Sequence, residues 1–234
     1  MVHAIHELRL DGPHDASRTI VLGHGAGDGM DSPFMSFFAT GLSKRGFRVA
    51  RFEFPYMASY HKTGRKSPPD RQEVLQATWR QVVDSVESKV LVIGGKSMGG
   101  RIASLIADEA DVDGLICLGY PFHPVGKPNQ LHEWRKPSLV CKQGVVCARH
   151  EHLQAIKTPT LIVQGERDPF GNREEVGRYN LSWAIRFQWM EDGDHSFKRR
   201  KKSGRTQLQN WQAALGEIEA FMNGANRHGF AKGP

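Results

Sequence analysis

The segment Val90-Leu91-Val92-Ile93-Gly94-Gly95-Lys96-Ser97-Met98-Gly99-Gly100 constrains this chain more than any other. A β-branched run passes directly into glycines, and a helical period begins at Ile102. The pattern is G-x-S-x-G between strand and helix. A serine on so sharp a turn needs glycine two residues to either side, here Gly95 and Gly99, so that strand and helix can approach while the hydroxyl projects. The segment therefore predicts a strand-turn-helix unit with an exposed nucleophile at Ser97.

Similar strand-sized runs recur at Thr19 to Leu22, Val49 to Phe54, Leu115 to Leu118, Thr160 to Val163 and Phe187 to Met190. Helical periods lie between them, at Met35 to Leu42, Leu75 to Val86 and Ile102 to Ile106, and a last one runs from Leu208 to Met222. Ser32-Pro33 supplies a cap and a first-turn proline for the first of these. Alternating strands and helices predict a doubly wound, mostly parallel α/β sheet with helices on both faces. A chain of 234 residues is read as one such domain over 1–222, with 223–234 a loose, glycine-rich tail. The segment 121–157 has no convincing period and is expected to be a loop or a minimal lid.

On its elbow, Gly94-Gly95-Lys96-Ser97-Met98-Gly99-Gly100-Arg101, the chain resembles the α/β-hydrolase superfamily, in particular its small esterases and dienelactone-hydrolase-like members. Gly23-His24-Gly25-Ala26-Gly27, after the first strand, extends the likeness. The resemblance implies an α/β-hydrolase fold without a large cap domain. It implies an oxyanion hole from the backbone N–H groups of Ala26 and Met98. It also implies the order nucleophile, acid, histidine. Asp168, in the loop after Thr160 to Val163, takes the place of the acid, and His195, after Phe187 to Met190, takes that of the base. In a parallel sheet all three follow the carboxyl ends of their strands, so the fold would gather them at one edge. His195 would take the proton of Ser97, and Asp168 would hold the imidazole.

Rivals exist for each role. Glu166, Asp192 and Asp194 are alternative acids, each as easily a loop charge. His24 reads as a structural residue beside the oxyanion turn, and His123 as a pocket residue with Phe34 and Phe122. Lys96 and Arg101 flank the nucleophile and read as surface or salt-bridge residues, because an elbow turns its neighbours away from the pocket.

No cofactor is expected. A P-loop would need glycine where Val90 stands, and a dinucleotide fingerprint starting at Gly23 would need glycine where Asp28 stands. Cys141, Cys147, His150 and His152 lack the paired spacing of a zinc site, so no metal is expected. Three cysteines make no disulfide framework, the N-terminus lacks a signal-peptide core, and no apolar run is membrane-sized; a cytoplasmic, membrane-free protein is expected. Much of the net charge of +7 sits in the run Lys198 to Lys202, read as a solvated loop, so nucleic acid is not an expected partner. The expected partner is a small-molecule ester of a small or medium acyl group. Thioester or other acyl hydrolysis, and a silent hydrolase-fold scaffold, remain open beside it, as do acyl length and oligomeric state.

Overall fold

The computed structural model describes residues 7–126, 149–204 and 206–225. Seven strands form one sheet: β1 (Arg9–Asp11), β2 (Arg18–Gly23), β3 (Arg48–Phe52), β4 (Val90–Lys96), β5 (Gly114–Leu118), β6 (Thr160–Gly165) and β7 (Ile185–Met190), in the spatial order β1-β3-β2-β4-β5-β6-β7. Only β1 runs antiparallel, paired with β3; all other neighbours are parallel. The helices are α1 (Pro33–Ser43), α2 (Pro55–Thr63), α3 (Gln72–Asp84), α4 (Met98–Ser104), α5 (Arg173–Val176) and α6 (Gln207–Gly224).

Side-chain alternation along the strands builds two cores. Ile20 and Leu22 of β2, Val92 of β4, Ile116 and Leu118 of β5, and Leu161 and Val163 of β6 face α1 and α6. Val21, Ile93, Leu115, Cys117 and Ile162, their chain neighbours, face α2 to α5. Because both faces are covered, the central runs of β2, β4, β5 and β6 are continuously apolar instead of alternating with polar residues. The helices dock by their apolar stripes. On α3, Leu75, Trp79, Val82 and Val83 are buried, and on α1 Ser32 accepts from the Met35 N–H at 3.4 Å while Pro33 opens the first turn.

Some elements depart from the sequence reading. The third strand stops at Phe52, because Pro55 starts α2. The short strand β1 was not expected. It is held by Arg51, whose guanidinium is 2% exposed and donates from Nη2 to Asp11 at 2.8 Å and from Nη1 to the Met30 carbonyl at 2.7 Å. The last helix runs through Gly224, and Ala225 is buried, so the expected tail is helical and packed in its first residues. Most of the segment 121–157, including Cys141 and Cys147, lies outside the described residues. Among those described, no helix is long and apolar enough to cross a membrane.

The sheet order reverses direction between β2 and β4, since β2 is followed in sequence by β3 on one side and the next strand, β4, lies on the other. Such a switch point opens a crevice at the carboxyl ends of the two strands. The fully buried Trp79 closes its floor, with its ring 4.7 Å from that of Phe52 and its Nε1–H donating to the Gly99 carbonyl at 3.2 Å. Trp79→Ala removes both the packing and this bond and is expected to cost about 3–5 kcal/mol, read as a lower midpoint in urea unfolding.

Candidate active site

At the carboxyl end of β4 the backbone turns at Ser97, which has φ 51° and ψ −114°, a left-handed conformation that costs a non-glycine residue about 1–3 kcal/mol. The surroundings impose it. A Cβ at Gly95 would lie 2.0 Å from the Gly23 carbonyl oxygen, and one at Gly99 would lie 2.2 Å from the same atom. Only glycine allows β2, β4 and α4 to meet backbone to backbone. The Ser97 N–H donates to the Leu118 carbonyl at 3.0 Å, which fixes the turn against β5.

His195 Nε2 lies 2.9 Å from Ser97 Oγ, and His195 Nδ1 lies 2.8 Å from Asp168 Oδ2. Asp168 is fully buried at the end of β6. Its Oδ2 also accepts from Gln164 Nε2 at 3.0 Å, and its Oδ1 accepts from the Phe170 N–H at 2.9 Å. Gln164 is itself locked, accepting from the Tyr120 N–H at 2.7 Å and donating to the Tyr120 and Gly171 carbonyls at 3.1 Å each. With Oδ2 shared between Gln164 and His195, the carboxylate is oriented before any ligand arrives. Burial lowers the pKa of His195 below the ordinary 6.5, opposed by its bond to Asp168 and assisted by the charge of Lys96. The imidazole is thereby held neutral, with the bond to Asp168 placing the proton on Nδ1 and leaving Nε2 free to accept.

The rival acids serve the loops. Glu166 accepts from Arg173 at 2.8 Å and from the Asp192 N–H at 3.0 Å. Asp192 pairs with Arg167 at 2.8 Å and with Arg200, and these cations hold its carboxyl well below the usual range. Asp194 accepts from the Ser196 and Lys198 N–H groups at 2.9 Å each, forming the turn that carries His195. His24 is fully buried, as its structural reading requires; Nδ1–H donates to the Gly25 carbonyl at 2.7 Å, and Nε2 accepts from the Phe54 N–H at 3.1 Å.

The loop after β2 lies over Ser97, since a Cβ at Gly25 would sit 3.7 Å from the Ser97 Cβ. The Gly25 carbonyl accepts from His24 and, at 3.3 Å, from the Tyr56 hydroxyl. In a trans peptide this turns the Ala26 N–H to the opposite side. Met98 opens α4, so its N–H has no acceptor within the helix. A cavity of about 240 Å³ extends from Ala26 and Gly27 along Tyr56, Met57 and Tyr60 to Lys66 and Ser67.

None of the three residues expected from sequence to line a pocket borders this cavity. Phe34 packs in the aromatic cluster of α1 and α6, 4.7 Å from Phe38 and 5.3 Å from Trp211 between ring centres. Phe122 is 1% exposed and packs on Tyr120 at 4.8 Å, and His123 faces Glu175 at 2.9 Å. All three were drawn away by stronger apolar or ionic neighbours. The cavity is lined instead by α2, which the sequence reading did not contain. Lys96 is also corrected: it is 9% exposed and turned inward, not on the surface. Arg101 forms no ion pair among the described residues and donates from Nη1 to Gln72 Oε1 at 3.2 Å. Within the basic run, Arg199 pairs with Glu191 at 2.8 Å and Arg200 with Asp192, so part of its charge is neutralised locally. His152 is committed to Ser104 Oγ at 2.8 Å and His150 stacks on Tyr179 at 4.0 Å; among the described residues no three metal-binding side chains converge.

Comparison with known proteins agrees with this architecture. The model of a family described as an alpha/beta hydrolase domain matches residues 16–223. Among solved structures, a dienelactone hydrolase from Anabaena variabilis superposes with a TM-score of 0.66 at 18% identity, over 94% of this chain and 92% of that one. An alpha-beta serine hydrolase homologue from Coxiella burnetii gives 0.59 at 19% identity, over 92% and 88%. A serine hydrolase without a lid from Xanthomonas campestris gives 0.57 at 16% identity, over 97% and 90%. With a family match across nearly the whole sheet and its helices, the chain belongs to the α/β-hydrolase family.

Proposed function

We propose that this protein is a serine esterase that cleaves carboxylic esters of small or medium acyl groups through Ser97, His195 and Asp168. The observation that carries the reading is the continuous chain of hydrogen bonds from Ser97 Oγ through His195 to a buried, pre-oriented Asp168. Such a chain is the requirement for activating a hydroxyl that is otherwise a poor nucleophile.

In the proposed reaction Ser97 Oγ attacks the ester carbonyl carbon while His195 Nε2 takes its proton. The imidazolium so formed is stabilised by Asp168, and the carbonyl oxygen, now an oxyanion, accepts from the Ala26 and Met98 N–H groups. Collapse breaks the bond to the alcohol, which leaves with the proton from His195 and leaves the acyl group on Ser97. Water, deprotonated by the same imidazole, then releases the acid and restores the serine. The cavity beside Ala26 would receive one arm of the ester, and its modest volume favours short acyl groups.

Hydrolysis of a short-to-long series of p-nitrophenyl esters tests this. Ser97→Ala should lower kcat by about 10⁴-fold or more, with activity in the wild type falling as the acyl chain lengthens. Equal rates in the two proteins would remove Ser97 from the reaction.

The choice of acid is tested separately. Asp168→Asn should lower kcat by about 10³- to 10⁴-fold, because the imidazole loses the partner that sets its tautomer. Glu166→Gln should stay near wild type, and the reverse ranking would move the acid to Glu166.

The pH dependence follows from burial of His195. Only the neutral imidazole can accept the serine proton, and its folded pKa lies below 6.5. The rate should therefore rise with pH through a midpoint below 6.5 and be nearly full at neutral pH, read from kcat/KM between pH 5 and 9.

A further inference from the structure

The alternation of β4 puts Lys96 on the same side of the sheet as Val92, facing α1 and the loop after β7. Its ammonium is buried there over two aromatic faces, 5.1 Å from the ring centre of Phe34 and 5.8 Å from that of Phe197. Burying a lysine charge is costly unless the group is bound. Among the described residues no carboxylate forms an ion pair with it. Its Nζ donates instead to the backbone carbonyl of His195.

Room for this bond is made by Gly119, at the end of β5 with φ +68°. A Cβ there would lie 2.7 Å from Lys96 Nζ, 2.8 Å from the His195 carbonyl oxygen and 3.2 Å from His195 Nδ1. Three separate elements are thus shaped around one contact: β4 supplies the cation, β5 the space and the loop after β7 the carbonyl. The aromatic rings supply a surface that attracts a cation without taking its proton.

Resting on the role proposed for His195, we infer that Lys96 is a positioning residue for the general base: its ammonium holds the His195 backbone carbonyl and sets a positive charge beside the imidazole. Two consequences follow from the two parts. Loss of the bond lets the loop and the imidazole move relative to Ser97. Loss of the charge removes a repulsion that disfavours the imidazolium, so His195 becomes easier to protonate. The carboxylates of Asp168 and Asp194 favour both cations, and that of Asp28 also favours Lys96. Among the described residues Lys96 is the one cation acting on His195, and burial lowers its own pKa to about 8.

The test compares wild type with Lys96→Met, which keeps the length without charge or donor, and Lys96→Gln, which keeps an N–H donor without charge. His195 is titrated by NMR in ¹⁵N-histidine-labelled protein, its signals assigned by their loss in His195→Gln. Labelling of Ser97 by a fluorophosphonate is timed over the same pH range. The His195 midpoint should rise by about 0.5 unit or more in both variants. At pH 8, where the imidazole is neutral in all three, labelling should slow by about tenfold or more in Lys96→Met and by less in Lys96→Gln. An unfolding midpoint at or above that of wild type separates lost positioning from lost fold, and if Lys96→Met does not fold, Lys96→Gln carries the titration. An unchanged His195 midpoint, or wild-type labelling by Lys96→Met at pH 8, overturns the inference. A wild type that is not labelled at all refutes the esterase reading, while the titration still decides whether Lys96 acts on His195.

Discussion

The carbonyl oxygen of Gly23 is the point on which the architecture turns. It is crowded by Gly95 of β4 and Gly99 of α4 so closely that neither can carry a side chain. Backbone packing at this distance draws β2, β4 and α4 into one rigid unit, and it is this unit that forces Ser97 into a left-handed conformation. The strain is local, but what sustains it is broad: the ladder between β2 and β4, the bond from Ser97 to Leu118 and the seal of Trp79 beneath Gly99. A strained residue survives where the surrounding structure over-determines it. The loop carrying Ala26 leaves the same strand end, so the proposed nucleophile and the proposed oxyanion donors share a single scaffold.

The proposed acid and base come from the other side of β4, on loops after β6 and β7, and their placement depends on a second set of fixed points. Gln164 binds Asp168 and the Tyr120 backbone together, and Asp194 folds the turn that presents His195. These residues do no chemistry themselves. They set the angle at which two loops meet a third, and the charged side chains of these loops pair with one another, Arg167 and Arg200 with Asp192 and Arg173 with Glu166.

Much of this was legible in the sequence, where local rules and long-range packing agree. The apolar runs of β2, β4, β5 and β6 have no other stable home than a doubly covered sheet, and the glycines around Ser97 allow few backbones. What was not legible depended on contacts remote in sequence. Strand β1 is three residues long with Leu10 exposed, and it pairs because Arg51 reaches Asp11 across the sheet edge. Helix α2 carries few apolar residues, with Tyr56 and Met57 buried, so periodicity gave little sign of it. Lys96 is a polar residue at a strand end, where composition favours solvent; the face it occupies follows from counting two residues on from Gly94, but the aromatic and carbonyl neighbours that receive it come from α1 and from the loop after β7. The same holds for Phe34, Phe122 and His123, which aromatic clustering and Glu175 claim for packing.

Helix α2 lies outside the sheet order and contributes neither the nucleophile, the base nor the acid, yet it supplies three of the residues around the cavity beside Ala26. Tyr56 ties it to the loop of Ala26, through its hydroxyl on the Gly25 and Ala26 carbonyls. The parts proposed to break the bond and the part that lines the cavity beside it are therefore nearly separate in the chain. Substitutions at Met57 or Tyr60 would remodel the chamber from within α2. A lineage built on this plan can change its diet by drifting within one short helix while inheriting its chemistry intact.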